Sequence, residues 1–155
     1  LTLPSGAQPE ADHPGWYSWG DFERGSFASR TGKLLFRPDG DGRGIVRMMP
    51  DETHLNMGGS LHGGAVMSFI DMALFAGGRC AGMNEGHYVT LDCSTRFLAR
   101  GKIGIALDAY VRLVRQTAGG LVFLAGECVQ EGDACYDFTG TLKKIKRPEG
   151  DGQRR

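Results

Sequence analysis

The stretch NMGGSLHGGAVMSFIDMALFAGG, residues 56–78, decides how the chain is read. A glycine-dense run carrying Asn56 and His62 leads straight into an apolar segment, and one acid, Asp71, interrupts that segment. From Gly63 to about Gly82 the chain is dense in Ala, Met, Phe, Ile and Leu, with glycines at both ends, which predicts one long helix. Its apolar residues lie nearly all round, so the remainder of the chain is expected to cover it. The first turn of such a helix exposes unpaired N–H groups and the positive end of its dipole. Gly63 and Gly64 let another group approach that backbone closely. A site of this kind suits a phosphate, a carboxylate or the oxyanion of an acyl-transfer reaction.

Each feature also has a plain structural reading. Gly-Gly before a helix is a common turn, and a histidine there is more often a cap than a catalyst. The acid is harder to accommodate. Burying an unpaired carboxylate is costly, and relief comes from a partner, a raised pKa or a water-lined pocket. No Lys or Arg lies within one turn of Asp71 on either side. Asp71 is eight residues beyond Gly63, about 12 Å along a helix, so the two cannot touch one reacting carbon within one chain. If both serve one site, two helices run side by side in opposite directions, and the site implies a homodimer.

Around the helix the period changes from helical to alternating. KLLFR (33–37) and GRGIVRMM (42–49), joined by PDGD, predict a hairpin. HYVTLDCSTRFL (87–98) alternates, with Val89, Leu91, Cys93, Thr95 and Phe97 on one face. IGIALDAYVRLV (103–114), GLVFLAGECVQ (120–130) and ACYDFTGTLKKI (134–145) follow, joined by short turns that predict antiparallel pairing of consecutive strands. The expected fold is α+β, a curved antiparallel sheet of about six strands wrapped around one central helix. Residues 1–32 are expected to form a tail and a short aromatic-rich cap in which Trp16, Trp19, Phe22 and Phe27 recur at roughly helical spacing. Residues 33–147 form the single domain, and 148–155 a disordered tail.

Composition excludes several function classes. Among 155 residues, eighteen basic and eighteen acidic side chains cancel, which argues against a nucleic-acid partner or a polybasic membrane anchor. The four cysteines (Cys80, Cys93, Cys128, Cys135) show no metal-ligand spacing, so no metal is expected, and reduced thiols in a cytoplasmic setting are the plain reading. No apolar run is long enough to span a bilayer, and the start of the chain has no signal-peptide pattern.

The pattern Asn56–x5–His62-Gly63-Gly64–x6–Asp71, followed by VTLD (89–92), resembles the hotdog-fold acyl-CoA thioesterases of the phenylacetate-degradation (PaaI-like) type, over about residues 33–146. The resemblance implies that Asp71 activates the attacking water or attacks the thioester itself, and that Thr90 positions that water or the carboxylate. It implies that the Gly63 amide of the facing subunit polarises the thioester carbonyl with help from Asn56, and that His62 lies near the leaving thiol. Gly64, Arg100, Lys102 and Phe75 become candidate substrate contacts, the two cations toward coenzyme A phosphates. Relatives often carry a proline where this chain reads FLARGKIG (97–104), which leaves the phosphate contacts open. Coenzyme A would enter only as part of the substrate, with no separate cofactor. Self-association as a homodimer, and as a homotetramer built from two dimers, is also implied. A hotdog-fold hydratase or dehydratase pairing His62 with Asp71, and a non-catalytic acyl-CoA-binding protein, are the competing readings.

Overall fold

In the computed structural model, which describes residues 2–147, one helix, α1 (Gly63–Cys80), lies against one antiparallel sheet. The expected tail at 148–155 lies outside the described residues. His62 starts the helix in an extended conformation, and the Ala81 N–H closes it on the Gly77 carbonyl. The strands are β1 (Gln8–Pro9), β2 (Tyr17–Ser18), β3 (Leu35–Pro38), β4 (Arg43–Met48), β5 (His87–Phe97), β6 (Leu107–Gln116), β7 (Leu121–Gln130) and β8 (Asp133–Ile145). Their spatial order is β1-β2-β3-β4-β6-β7-β8-β5. The hotdog architecture expected from the sequence is therefore present, with eight strands rather than six. The two additional strands are two-residue pieces of the N-terminal segment that extend the sheet beyond β3.

The core forms where α1 crosses the sheet. Phe69, Ile70, Ala73, Leu74 and Ala76 are buried, together with Val46, Leu107, Val111 and Leu142 from the strands. The crossing is unusually close. A Cβ on Gly77 would stand 2.5 Å from Val111 Cγ2, and one on Gly44 would stand 2.4 Å from the Gly77 carbonyl oxygen. Only glycine at both positions permits that spacing. Coverage is one-sided, however. Met67, Ser68, Asp71, Met72 and Phe75 remain half-buried, so the helix expected to be covered all round presents a stripe that the sheet does not reach.

Three sequence expectations change. The pairing of consecutive long strands fails for β5, which pairs with β8 and not with β6, because the link 98–106 crosses the end of the sheet. That link absorbs residues 103–106, expected to be strand. Buried Gln130 accepts from the Lys102 N–H at 2.9 Å and donates to the Lys102 and Ile105 carbonyls at 2.8 and 3.0 Å, holding the segment as a loop. In β5 the pairing slips between Thr90 and Asp92. This bulge at Leu91 leaves Val89 and Leu91 exposed and turns Thr90 and Cys93 inward, so the expected single apolar face does not run through it.

The aromatic cap is irregular rather than helical. Gly20 and Gly25 adopt positive φ and interrupt any helix. Trp19 still packs on Phe36 (ring centroids 4.7 Å) and near Phe22 (6.4 Å). Trp16 lies under the guanidinium groups of Arg37 and Arg47 at 5.0 and 4.7 Å. Phe27 is 75% exposed and is no core contact.

Candidate active site

The loop before α1 is built by its own polar groups. Asp51 caps a single 3-10 turn, Glu52–His54, through the Thr53 N–H at 2.9 Å. The buried His54 ring accepts from the Asp51 N–H at Nδ1 (3.0 Å), which assigns the proton to Nε2, 2.6 Å from the Arg30 carbonyl. The His54 carbonyl then receives the His62 N–H at 2.7 Å. Between these points Asn56 closes a tight loop. Its Oδ1 accepts from the Gly58 and Ser60 N–H groups at 2.8 and 3.2 Å, and its Nδ2 donates to Ser60 Oγ at 3.0 Å.

His62 acts as the helix N-cap: its Nδ1 accepts from the Gly64 N–H at 2.9 Å. The hydrogen bonds of the helix start run to the Gly64 and Val66 N–H groups, and none among the described residues engages the Gly63 N–H. Gly63 lines a cavity of about 380 Å³ with Asn56, Phe97, Arg100 and Tyr136. A Cβ on Gly63 would meet the Phe97 ring at 3.5 Å, an ordinary contact. Arg100 donates to the Gly58 carbonyl at 2.8 Å, which braces the cavity rim.

Asp71 is two turns further along α1. Its Oδ1 accepts from Thr90 Oγ1 at 2.7 Å, a contact that exists because the β5 bulge turns Thr90 toward the helix. No Lys or Arg among the described residues forms an ion pair with Asp71, and it lines a cavity of about 390 Å³ with Phe27, Met67 and Met72. Cys93, half-buried on the same strand, has its thiol pushed up by burial and by the neighbouring Asp71 charge.

One chain therefore gathers Asn56, Gly63 and Arg100 around one cavity, and Asp71 with Thr90 at a separate place. The remaining candidates disperse. Gly64 and His62 line a cavity of about 430 Å³ beside Phe27 and His54. Phe75 lines another of about 480 Å³ with Trp19, Arg79 and Tyr88. Lys102 pairs at 3.5 Å with exposed Glu131 and does not line the Gly63 cavity with Arg100. Sequence reasoning missed His54 and Arg79. The His54 role comes from a contact 24 residues away, for which the sequence carries no local signal. No cluster of His, Cys, Asp or Glu suited to a metal ion occurs among the described residues. No helix among them is long and apolar enough to cross a membrane.

Residues 58–125 match the model of the Thioesterase superfamily. No curated protein matches the chain. Solved structures do. The Escherichia coli PaaI protein of the phenylacetic acid degradation operon is similar at 24% identity, covering 68% of this chain and 74% of that one, TM-score 0.59. A hypothetical thioesterase from Streptococcus pneumoniae TIGR4, solved with coenzyme A, is similar at 21% identity over 74% and 90% of the two chains, TM-score 0.63. The protein smu.793 from Streptococcus mutans UA159, bound to acetyl CoA, is similar at 22% identity over 70% and 85%, TM-score 0.60. The likeness to these structures defines the fold as the hotdog fold, and residues 58–125 within it carry the match to the Thioesterase superfamily. In that fold the chain is similar to the E. coli PaaI protein over about two thirds of its length.

Proposed function

We propose that this protein hydrolyses an acyl or aryl-acyl coenzyme A to the free acid and coenzyme A, at sites formed between two copies of the chain. The observation that carries the reading is the Asp71 carboxylate, held by Thr90 at 2.7 Å and paired with no cation among the described residues, on the stripe of α1 that the sheet leaves uncovered. Two of the similar structures hold coenzyme A or acetyl CoA, which supports an acyl-CoA substrate here.

A two-fold axis gives the dimer its geometry. Gly63 lies by Phe97, and Asp71 lies by Thr90, so β5 runs antiparallel to α1. An axis near Met67 on the helix passes near Cys93 and Ser94 on the strand. It brings Asp71 of one copy to Gly63 of the other and sets the two β5 edges side by side, antiparallel. β5 is an edge strand whose Val89, Leu91 and Phe97, with adjacent Leu98, are 40–57% exposed, which is unusual unless a partner covers them.

In this site the Gly63 N–H of one copy, with the open Asn56 Nδ2 proton, binds the thioester carbonyl oxygen. Asp71 of the other copy takes a proton from water as that water attacks the carbonyl carbon, or attacks the carbon itself and is released by water. The C–S bond breaks, the sulfur leaves as coenzyme A thiolate and is protonated, and the acyl group departs as a carboxylate. His62, beside Gly63, faces the leaving sulfur, while Arg100, Lys102 and Gly64 contact the coenzyme A portion. The commitment of His62 Nδ1 to the helix cap favours hydrolysis over a His62–Asp71 hydratase pair. No separate cofactor is needed. The protein would act in the cytoplasm, and association of two dimers into a tetramer is part of the same reading.

Asp71→Asn keeps the shape and removes the base. Across a panel of short, medium, long and aromatic acyl-CoAs it should lose about 10²- to 10⁴-fold in kcat. Hydrolysis by the variant as fast as by the parent would overturn the assignment.

A further inference from the structure

The stripe that carries Asp71 continues for two more turns, and what it meets there points to the substrate. Phe75 is one turn beyond Asp71 on α1, and Tyr88 is two residues before Thr90 on β5. Both line the cavity of about 480 Å³ at the C-terminal end of the helix, so these two neighbours of the Asp71–Thr90 pair along α1 and β5 form its near wall. Its walls are largely apolar, with Met83 from the turn after α1 and with Trp19 and Pro4 from the N-terminal segment. Trp19 Nε1 donates to the Ser5 carbonyl at 3.1 Å, which ties together the lining residues that this segment supplies.

Arg79 stands at the far end, and it is poorly satisfied for a cation so deep. Its side chain is 13% exposed. Its guanidinium donates to the Met83 carbonyl and, at 3.3 Å, to the Leu3 carbonyl, and its Nε has no partner among the described residues. Among the described residues its one ion pair is with Glu85 at 3.9 Å, whose own side chain is 80% exposed and shares its charge with water. The other polar groups there add no negative charge: the cavity is lined by His87, and Lys144 lies against Gly86. A buried guanidinium paired only with a distant, solvated carboxylate is stabilised by any anion that enters beside it.

We propose, building on the thioesterase reading above, that this cavity receives the acyl group and that Arg79 binds a carboxylate at its far end, so that the preferred substrate is the mono-coenzyme A ester of a dicarboxylic acid. Arg79 is eight residues beyond Asp71, about 12 Å along the helix. Allowing for contact distances at both ends, that span suits an acyl chain of roughly six to eight carbons. Phe75, Met83 and Tyr88 cover its methylenes. Glu85 swings to solvent when the carboxylate arrives.

The test compares adipyl-CoA with hexanoyl-CoA, equal in chain length and different only at the far end, on the full-length protein. The wild type should favour adipyl-CoA in kcat/KM by about tenfold or more. Arg79→Met should reduce that ratio by about the same factor. Because both substrates are read on one preparation, a partly unfolded variant leaves the ratio intact. Glu85→Gln, which removes the competing carboxylate and leaves Arg79 in place, should raise the ratio. A wild type that hydrolyses both esters equally, or prefers hexanoyl-CoA, overturns the dicarboxylate assignment alone, as does a ratio unmoved by both variants. A wild type that hydrolyses no acyl-CoA in the panel overturns the thioesterase reading and this inference with it.

Discussion

Asp71 resolves its own anomaly by position. It lies on the side of α1 that the sheet does not cover, and its one described hydrogen bond comes from Thr90. The hydroxyl fixes the carboxylate without neutralising it, leaving the second oxygen for a water molecule or a carbonyl carbon. Thr90→Val keeps the shape and removes that donor. It should lower kcat by about ten- to a hundredfold and lower Tm by a few degrees, since a hydrogen bond to a charged group contributes about 1.5–3 kcal/mol. Steady-state kinetics beside a thermal melt would separate the two effects. The thiols behave differently. Burial pushes Cys80 up to about 12 and raises Cys128, and burial with the Asp71 charge raises Cys93. Cys135 is buried too. A thiolate reagent at neutral pH should label the native protein slowly and titrate all four thiols only in denaturant. Fast labelling of Cys93 in the native state would contradict this. At this scale the sequence was informative about Asp71, because a lone acid in an apolar helix is costly wherever it ends up. It pointed to Thr90 only through the family resemblance, because the inward orientation depends on a bulge one residue later, and it was silent on His54, whose partner is 24 residues away.

At the scale of elements, the helix and the long strands were legible because their hydrophobic periods are strong and their ends carry glycine. The α1 limits agree with the sequence reading to within two residues at its C-terminal end. What failed was pairing. Alternation shows that a segment is a strand and says nothing of its neighbour, and the 98–106 crossover places β5 beside β8 rather than β6. The N-terminal strands were invisible for another reason: two residues are too short to show any period. The crossing of α1 over β4 and β6 gives a direct prediction. Gly77→Ala drives a methyl into Val111 at 2.5 Å, and overpacking of this kind costs about 1–3 kcal/mol. The melting temperature should fall by about 2–4 °C for each of those kcal/mol. Gly82→Ala is a poor control because of its positive φ, whereas Ala118, exposed in a turn, tolerates substitution without that penalty. A Gly77→Ala protein as stable as the parent would mean that the helix does not pack as described.

For the whole molecule, the central claim is that the site belongs to two chains. The sequence carried that idea in one distance, about 12 Å between Gly63 and Asp71 on a single helix. The fold adds a β5 edge at the end of the sheet, with exposed apolar side chains along it. Two variants isolate the two halves of the site. Asp71→Asn removes the carboxylate. Gly63→Pro removes the N–H at the first helical position, where proline is well tolerated, and His62 already has the extended backbone (φ −66, ψ 133) that a residue before proline adopts. Each variant alone should be nearly inactive, with Gly63→Pro losing about 10²- to 10³-fold. Co-expressed in equal amounts, they form mixed dimers in which one site carries both defects and the other carries neither. The measurement is acyl-CoA hydrolysis by that mixture, with the mixed dimer verified by differently tagged chains. Recovery of about a quarter of the wild-type activity is the predicted result, and a mixture as inactive as either variant alone would contradict a site shared across the interface.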